Sequence, residues 1–174
     1  MANAYQKSYG LNIATARAGN VIGGGDFATD RLVPDFVRSI IKKKPIKVRH
    51  PSAVRPWQHV LEPLVGYLLL AEKTMTGAWN FGPTKKDIKT VGWVVKSLGE
   101  KWGVPVSSVG SYSALHEARH LALDSRKAMA KLGWQPKLRL EQALDRIVDW
   151  TNDYLAGANM REVTIKQIQE YLHG

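Results

Sequence analysis

The chain has no cysteine among its 174 residues, so a disulfide, a thiolate metal site and a cysteine nucleophile are all excluded, and a reducing compartment would suit it. Long apolar runs are missing as well. The opening Met-Ala-Asn-Ala-Tyr-Gln-Lys-Ser-Tyr-Gly has no apolar signal core, and no later stretch is long enough to span a bilayer, so the expectation is a cytoplasmic protein without a membrane partner. No stretch ends in the Gly-Lys-Ser/Thr of a phosphate-binding loop, none carries three glycines at dinucleotide-fingerprint spacing, and no Gly-x-Ser-x-Gly elbow supports a serine hydrolase. Internal repeats and low-complexity linkers are absent too. A chain of this length suits one domain, burying about 70% of the surface that its unfolded form exposes.

Acidic residues are scarce: 15 Asp and Glu against 25 Lys and Arg leave a net charge of +10. The imbalance is sharpest between Arg31 and Trp57, where Arg31, Arg38, Lys42, Lys43, Lys44, Lys47, Arg49 and Arg55 face Asp35 as the single acid. Such a zone favours an anionic partner, either nucleic acid or the diphosphate of a nucleotide. Lys42 to Lys44 follow a helical run and read more simply as a solvated helix end compatible with its dipole. A base-stacking surface would need aromatic residues interleaved with the basic zone, and only Trp57 meets that condition, so nucleic acid is not the expected partner.

The pattern predicts a mixed α/β chain. Residues 1–9 read as a helix tail closed by Gly10, and Leu11 to Ala16 as a half-buried strand. A helix follows over Leu32 to Ile41 with Asp30 as its cap, then strands over Ile46–Arg49 and Trp57–Val60, and a helix over Leu64–Lys73 with Pro63 in its first turn. Ala78–Phe81 reads as a strand, and Thr90 as the cap of a helix through Leu98. Val104–Val109 is expected to be extended, with helices over 125–132 (stopped by Gly133), 140–155 and about 160–172.

Three patterns invite chemistry. Gly23-Gly24-Gly25 could let backbone N–H groups approach an anion, although a tight turn after a strand explains it as well. His116-Glu117-Ala118-Arg119-His120 formally matches His-Glu-x-x-His, in which two imidazoles one helical turn apart bind zinc, and Glu141 could be a third ligand. That motif must lie within a helix, yet the Leu121-Ala-Leu-Asp-Ser that follows alternates like an extended segment. His59, flanked by Val60 and Leu61, reads as a hydrogen-bonded core histidine rather than a base.

Several motifs in order carry a family resemblance: Ala-Arg-Ala-Gly-Asn-Val-Ile-Gly-Gly-Gly-Asp, Asp-Arg-Leu-Val-Pro-Asp, Arg-Pro-Trp-Gln-His-Val-Leu-Glu-Pro-Leu, Trp-Asn-Phe-Gly-Pro and Leu-Gly-Trp-Gln-Pro. With them the chain, to about Tyr154, resembles the C-terminal half of the CDP-glucose 4,6-dehydratases, extended short-chain dehydrogenases/reductases that act on nucleotide sugars. The resemblance implies the C-terminal part of an extended Rossmann-type fold, with residues 1–22 a residual end of the Rossmann domain and residues 23–174 a nucleotide-sugar substrate-binding region. In that family NAD oxidises C4 of the glucose unit, water is lost across C5 and C6, and the hydride returns to C6. The family's Gly-x-x-Gly-x-x-Gly and Tyr-x-x-x-Lys are absent from this chain, so no catalytic residue is expected in it and NAD is implied only by the family.

The resemblance further implies that Asn20 and Asn80 hydrogen-bond near the substrate diphosphate and that Arg55 pairs with it. It places Arg31, Leu32 and Pro34 beside base and phosphates, Lys47, Val48 and Arg49 along base and ribose, and His116 and Glu117 at ribose or phosphate, with no metal. CDP-glucose is the implied ligand, and an N-terminal half or a homo-oligomer the implied partner. A diphosphate is met by bidentate guanidinium together with neutral amide donors, and Arg55 with Asn20 and Asn80 is such a set. Alternatives are another nucleotide-sugar epimerase or reductase, the zinc peptidase and the basic nucleic-acid binder. With strands left unpartnered, Leu11–Ala16 and Trp57–Val60 are expected to exchange amide hydrogens faster than the helix over 140–155.

Overall fold

Two small sheets meet at Gly19 in the computed structural model, which describes residues 1–44, 46, 48, 50–104, 106 and 120–174. In the first, β1 (Ala14–Ala18) runs parallel to β4 (Gly77–Phe81), with Ala14 opposite Gly77 and Ala18 opposite Phe81. In the second, β2 (Asn20–Ile22) runs parallel to β3 (Val54–His59), and β5 (Ile88–Thr90) lies antiparallel on the other edge of β3. Gly19 lets the chain step between them: a Cβ there would lie 2.4 Å from the Pro56 carbonyl oxygen, which no side chain tolerates. The sheets are also tied by the Gln58 amide, which donates to the Phe81 carbonyl at 2.8 Å.

Seven helices are described: α1 (Ala2–Tyr9), α2 (Leu32–Ile41), α3 (Leu61–Glu72), α4 (Val91–Trp102), α5 (Arg126–Leu132), α6 (Leu140–Leu155) and α7 (Met160–His173). Their ends follow local chemistry. Gly10 and Gly133 close α1 and α5 in the left-handed conformation at φ 64 and 69, and the Thr90 hydroxyl accepts the Trp93 N–H at 3.1 Å to open α4. Asp30 does not cap α2. It adopts φ 60, and the extended Arg31 stands between it and the first helical residue, which takes its carboxylate out of the capping position. No described helix is long and apolar enough to cross a membrane.

Two apolar cores hold the elements. Phe36 and Val37 of α2, Trp57 of β3, Val94, Val95 and Leu98 of α4, and Leu144 and Ile147 of α6 form the first. Leu70, Trp79, Phe81, Ala128, Leu132 and Trp134 form the second, between α3, β4 and α5. A short 3-10 turn, Lys85–Asp87, links β4 to β5 and does long-range work. The Asp87 carboxylate accepts the Leu140 N–H at 3.1 Å and the Arg139 guanidinium at 2.9 Å, capping α6 from a distant part of the sequence. Burial pushes this carboxyl up, but hydrogen bonds from Arg139, Thr84 and Leu140 outweigh that and hold it below the usual aspartate range.

Several expectations change. The first strand spans 14–18 rather than 11–16, because pairing starts only where Gly77 N–H reaches the Ile13 carbonyl. β3 begins at Val54 and is enclosed: all its residues from Arg55 to His59 are buried, so the fast exchange expected of Trp57–Val60 does not suit its surroundings. Ile46 and Val48, described without strand structure, pack in the first core, while Lys47 and Arg49 lie outside the described residues. Most of Val104–Val109 lies outside them as well.

Candidate functional site

The carboxyl end of the β1–β4 pair concentrates the polar residues of interest. Arg17 stands opposite Asn80 in register, and its Nε donates to Asn80 Oδ1 at 3.0 Å. Asn80 Nδ2 in turn donates to the Asp124 carbonyl oxygen at 3.2 Å. The Asp124 carboxylate is held by Arg126, whose Nη2 approaches Oδ2 at 2.6 Å, and this partner takes its pKa down to about 2. Next to it, Ser125 Oγ accepts the Gly82 N–H at 2.8 Å and so fastens the 124–125 segment to the end of β4.

Asn20 begins β2 just beyond the last residue of β1, opposite Trp57. Arg55 lies two residues before Trp57 on β3, is 7% exposed, and donates from Nη1 to the Val54 carbonyl at 2.9 Å. The three residues expected to meet a diphosphate therefore occupy β2, β3 and β4, which adjoin through the Gly19–Pro56 approach and the Gln58–Phe81 bond.

Arg31 is exposed and 3.8 Å from Asp26, while Leu32 packs against the first core. Pro34 and Val48 are buried, with Val48 only 1% exposed, so a ligand contact at these two positions would have to use main-chain atoms. Lys47, Arg49, His116 and Glu117 lie outside the described residues, as does all of the His-Glu-x-x-His motif except His120. Among the described residues no cluster of His, Cys, Asp or Glu is arranged to hold a metal ion.

The glycine run has a packing partner. A Cβ on Gly24 would lie 2.2 Å from Trp150 Cγ, and one on Gly25 would lie 3.1 Å from the same indole. Trp150 on α6 packs against Gly24 and Gly25, and its Nε1 donates to Thr164 Oγ1 of α7 at 3.0 Å. The turn is thus shaped by an aromatic ring that lies against it, and Phe27 and Tyr154 extend the aromatic cluster.

His59 is a core residue as expected, but only half of its hydrogen-bonding capacity is used. Nδ1 accepts the Leu61 N–H at 3.4 Å, and Nε2 is buried without a partner among the described residues. Burial, and then the charge of Arg146, lower its pKa to about 4, so the ring is neutral near pH 7 and poorly suited to act as a base. Nearby Glu62 is fully buried and serves as an anchor: its carboxylate accepts the Leu138 N–H at 2.7 Å, the Lys137 N–H at 3.1 Å and the Tyr171 hydroxyl at 2.9 Å. Burial pushes the Glu62 carboxyl up, against the pull of those hydrogen bonds.

The contacts of Arg17 and Asp124 with Asn80 were not legible in the sequence, because they exist only once β1 and β4 pair and the 120–125 segment folds back. The family model described as the NAD dependent epimerase/dehydratase family matches residues 1–82. A CDP-glucose 4,6-dehydratase of Salmonella typhimurium is 42% identical over 173 residues, covering 95% of this chain and 48% of that protein. A dTDP-glucose 4,6-dehydratase of Streptomyces antibioticus is 27% identical over 159 residues, covering 88% and 46%. Among solved structures, a dTDP-glucose 4,6-dehydratase from Bacillus anthracis in complex with NAD superposes with a TM-score of 0.77 at 25% identity, over 86% of this chain and 48% of the other. The chain spans about half the length of these relatives. Residues 1–82 thus match the NAD dependent epimerase/dehydratase family model, and the likeness in sequence and in mixed α/β fold continues through most of the remainder.

Proposed function

We propose that this chain is the nucleotide-sugar-binding half of a CDP-glucose 4,6-dehydratase, a lyase that converts CDP-glucose to the 4-keto-6-deoxy sugar and water. The observation that carries the reading is that Asn80 lies next to the last residue of β4 and Asn20 two residues past the last residue of its parallel partner β1, at the carboxyl end of that pair, where parallel sheets hold ligands. Two amides and the nearby Arg55 offer a diphosphate neutral donors and a guanidinium, and the excess of Lys and Arg would draw the anion in. Arg31, Leu32, Pro34, Lys47, Val48, Arg49, His116 and Glu117 are assigned to base, ribose and phosphates on the strength of the sequence likeness.

NAD does not fit the residues described. The one run of consecutive glycines packs against Val60 and Trp150, and no dinucleotide fingerprint occurs in the sequence, so the role left to this chain is to grip and orient the sugar nucleotide. Hydride chemistry would come from a Rossmann half supplied alongside it. The outer edge of β1 is the natural docking place for that half, since the two-stranded parallel sheet leaves it without a described strand. Together they would work in the cytoplasm.

The test is calorimetric titration of the chain with CDP-glucose, CDP and tripolyphosphate. Saturable binding of CDP-glucose is expected, weakened about tenfold by Arg55→Gln, the size of one lost charge-assisted hydrogen bond. Equal affinity for all three anions, collapsing as salt rises, would instead mark a nonspecific polyanion binder and overturn the reading.

A further inference from the structure

We infer that Arg17 is a positioning residue for the diphosphate site: its guanidinium fixes the orientation of the Asn80 side-chain amide, so that Asn80 presents a donor to the ligand. The inference rests on the nucleotide-sugar reading above. It concerns a residue within the first of the family-like motifs to which neither the resemblance nor the comparisons give a role.

A side-chain amide has a donor end and an acceptor end, and a half-turn about its last bond exchanges them. An anion site needs the NH2 end. If the amide turned freely, its carbonyl would face the phosphate about as readily as its NH2, and binding would carry the cost of ordering it. Here both ends are assigned. Arg17 Nε can only donate, so the atom 3.0 Å from it must be Oδ1; the Asp124 carbonyl can only accept, so the atom 3.2 Å from it must be Nδ2. Reversing the amide would set donor against donor at one end and acceptor against acceptor at the other.

The two bonds leave capacity to spare. Nδ2 carries two hydrogens, and the Asp124 carbonyl takes one, so the other remains for a phosphate oxygen. The terminal nitrogens of Arg17 have no hydrogen-bond partner among the described residues, and the side chain is exposed, so its positive charge stands beside the same amide. Asp124 is fixed in turn by its pairing with Arg126 and by the Ser125–Gly82 bond, which keeps the accepting carbonyl in place. The pattern is a chain of oriented groups running from β1 through β4 to the start of α5, with Asn80 as its middle link.

The experiment uses the whole chain, 15N-labelled, as wild type, Arg17→Gln, Arg17→Lys, Asn80→Ala and Arg17→Gln/Asn80→Ala. Without ligand, the Asn80 side-chain NH2 pair, identified by its loss in Asn80→Ala, is expected to shift and to exchange faster in Arg17→Gln, with Arg17→Lys in between. Unchanged Asn80 signals in Arg17→Gln would overturn the inference, whatever the chain binds. With CDP-glucose as probe, Arg17→Gln and Asn80→Ala are each expected to weaken binding about tenfold, and the double variant hardly more than either alone, because both act through one amide. A hundredfold loss in the double variant would show two independent contacts and would also overturn it. If the wild type fails to bind CDP-glucose while the Asn80 signals still respond to Arg17→Gln, the nucleotide-sugar reading falls and the hold of Arg17 on Asn80 stands.

Discussion

β1 and β3 are both short strands with a parallel partner, and they live in opposite surroundings. β3 lies between β2 and β5 and is buried from Arg55 to His59, with Trp57 in the first core alongside α4 and α6 residues. β1 has β4 on one edge, no described strand on the other, and no fully buried residue along its length. Local sequence does not explain the contrast, since Thr15 and Ala18 are as compatible with a strand interior as Gln58 and His59. The neighbours do. β3 is closed by elements of this chain, whereas the outer edge of β1 has no strand paired to it among the described residues and could accept one from another polypeptide segment. The packed part keeps the fold and holds Arg55 on β3, whereas the open part carries the amide network on Asn80.

The sharpest way to break this comparison is to damage both regions and compare the losses. Leu144 on α6 is completely buried in the first core, so Leu144→Ala is expected to cost about 2–5 kcal/mol, from lost transfer energy and the cavity left behind. Ala16→Ser on the exposed face of β1 is expected to change stability by no more than about 0.5 kcal/mol. Urea unfolding of both variants measures the difference. Comparable losses would mean that β1 is as integral to the cooperative unit as α6.

A somewhat smaller effect follows from His59 at the end of β3. Its pKa is about 4 in the folded chain against 6.5 for the free side chain, so between those values the unfolded state takes up a proton that the folded state refuses. Stability should be fully present above pH 6.5 and should fall through the window to about 4, by roughly 3 kcal/mol for a shift of this size. Glu62 acts in the opposite sense: its raised pKa gives a contribution present at low pH and lost as pH rises through the folded value. Comparing unfolding of wild type and His59→Gln at pH 6.5 and 4.5 isolates the histidine, and a variant with the same slope as wild type would show that His59 is not the titrating group.

How much could be read from the chain beforehand divides along the same line. Local chemistry was legible: Thr90 opening α4 and Gly10 and Gly133 closing α1 and α5 all follow from residues within a turn of the feature they set. The motif order around Asn20, Arg55 and Asn80 nominated them for the proposed diphosphate site. What escaped was contact between distant residues. The Gly23–Gly25 run admits a phosphate or a turn on local grounds, and its close packing against Trp150 of α6 could not be read from those residues alone. The α6 cap comes from Asp87, 53 residues before Leu140, and Asn80 owes its orientation to Arg17, 63 residues earlier. Neither has a sequence signature, because neither exists until the strands have paired.

The subtlest test of the comparison leaves the sequence untouched. Amide exchange reports the free energy of the smallest opening that frees each N–H, so the strands can be ranked without mutation. Amides of α6 and the β3 amides bonded to β2 or β5 are expected to exchange at rates set by global unfolding, since releasing them breaks the first core. β1 amides, with one paired edge and partly exposed side chains, should be freed by local separation from β4 and exchange well before that limit. β4 should fall between, because Trp79 and Phe81 are anchored in the second core even when β1 leaves. An intermediate β4 would place the boundary between the open and closed parts of the molecule within the β1–β4 pair. A β1 protected to the same degree as α6 would mean that the chain closes this edge by itself, and would remove the argument that β1 is the docking strand for a second half.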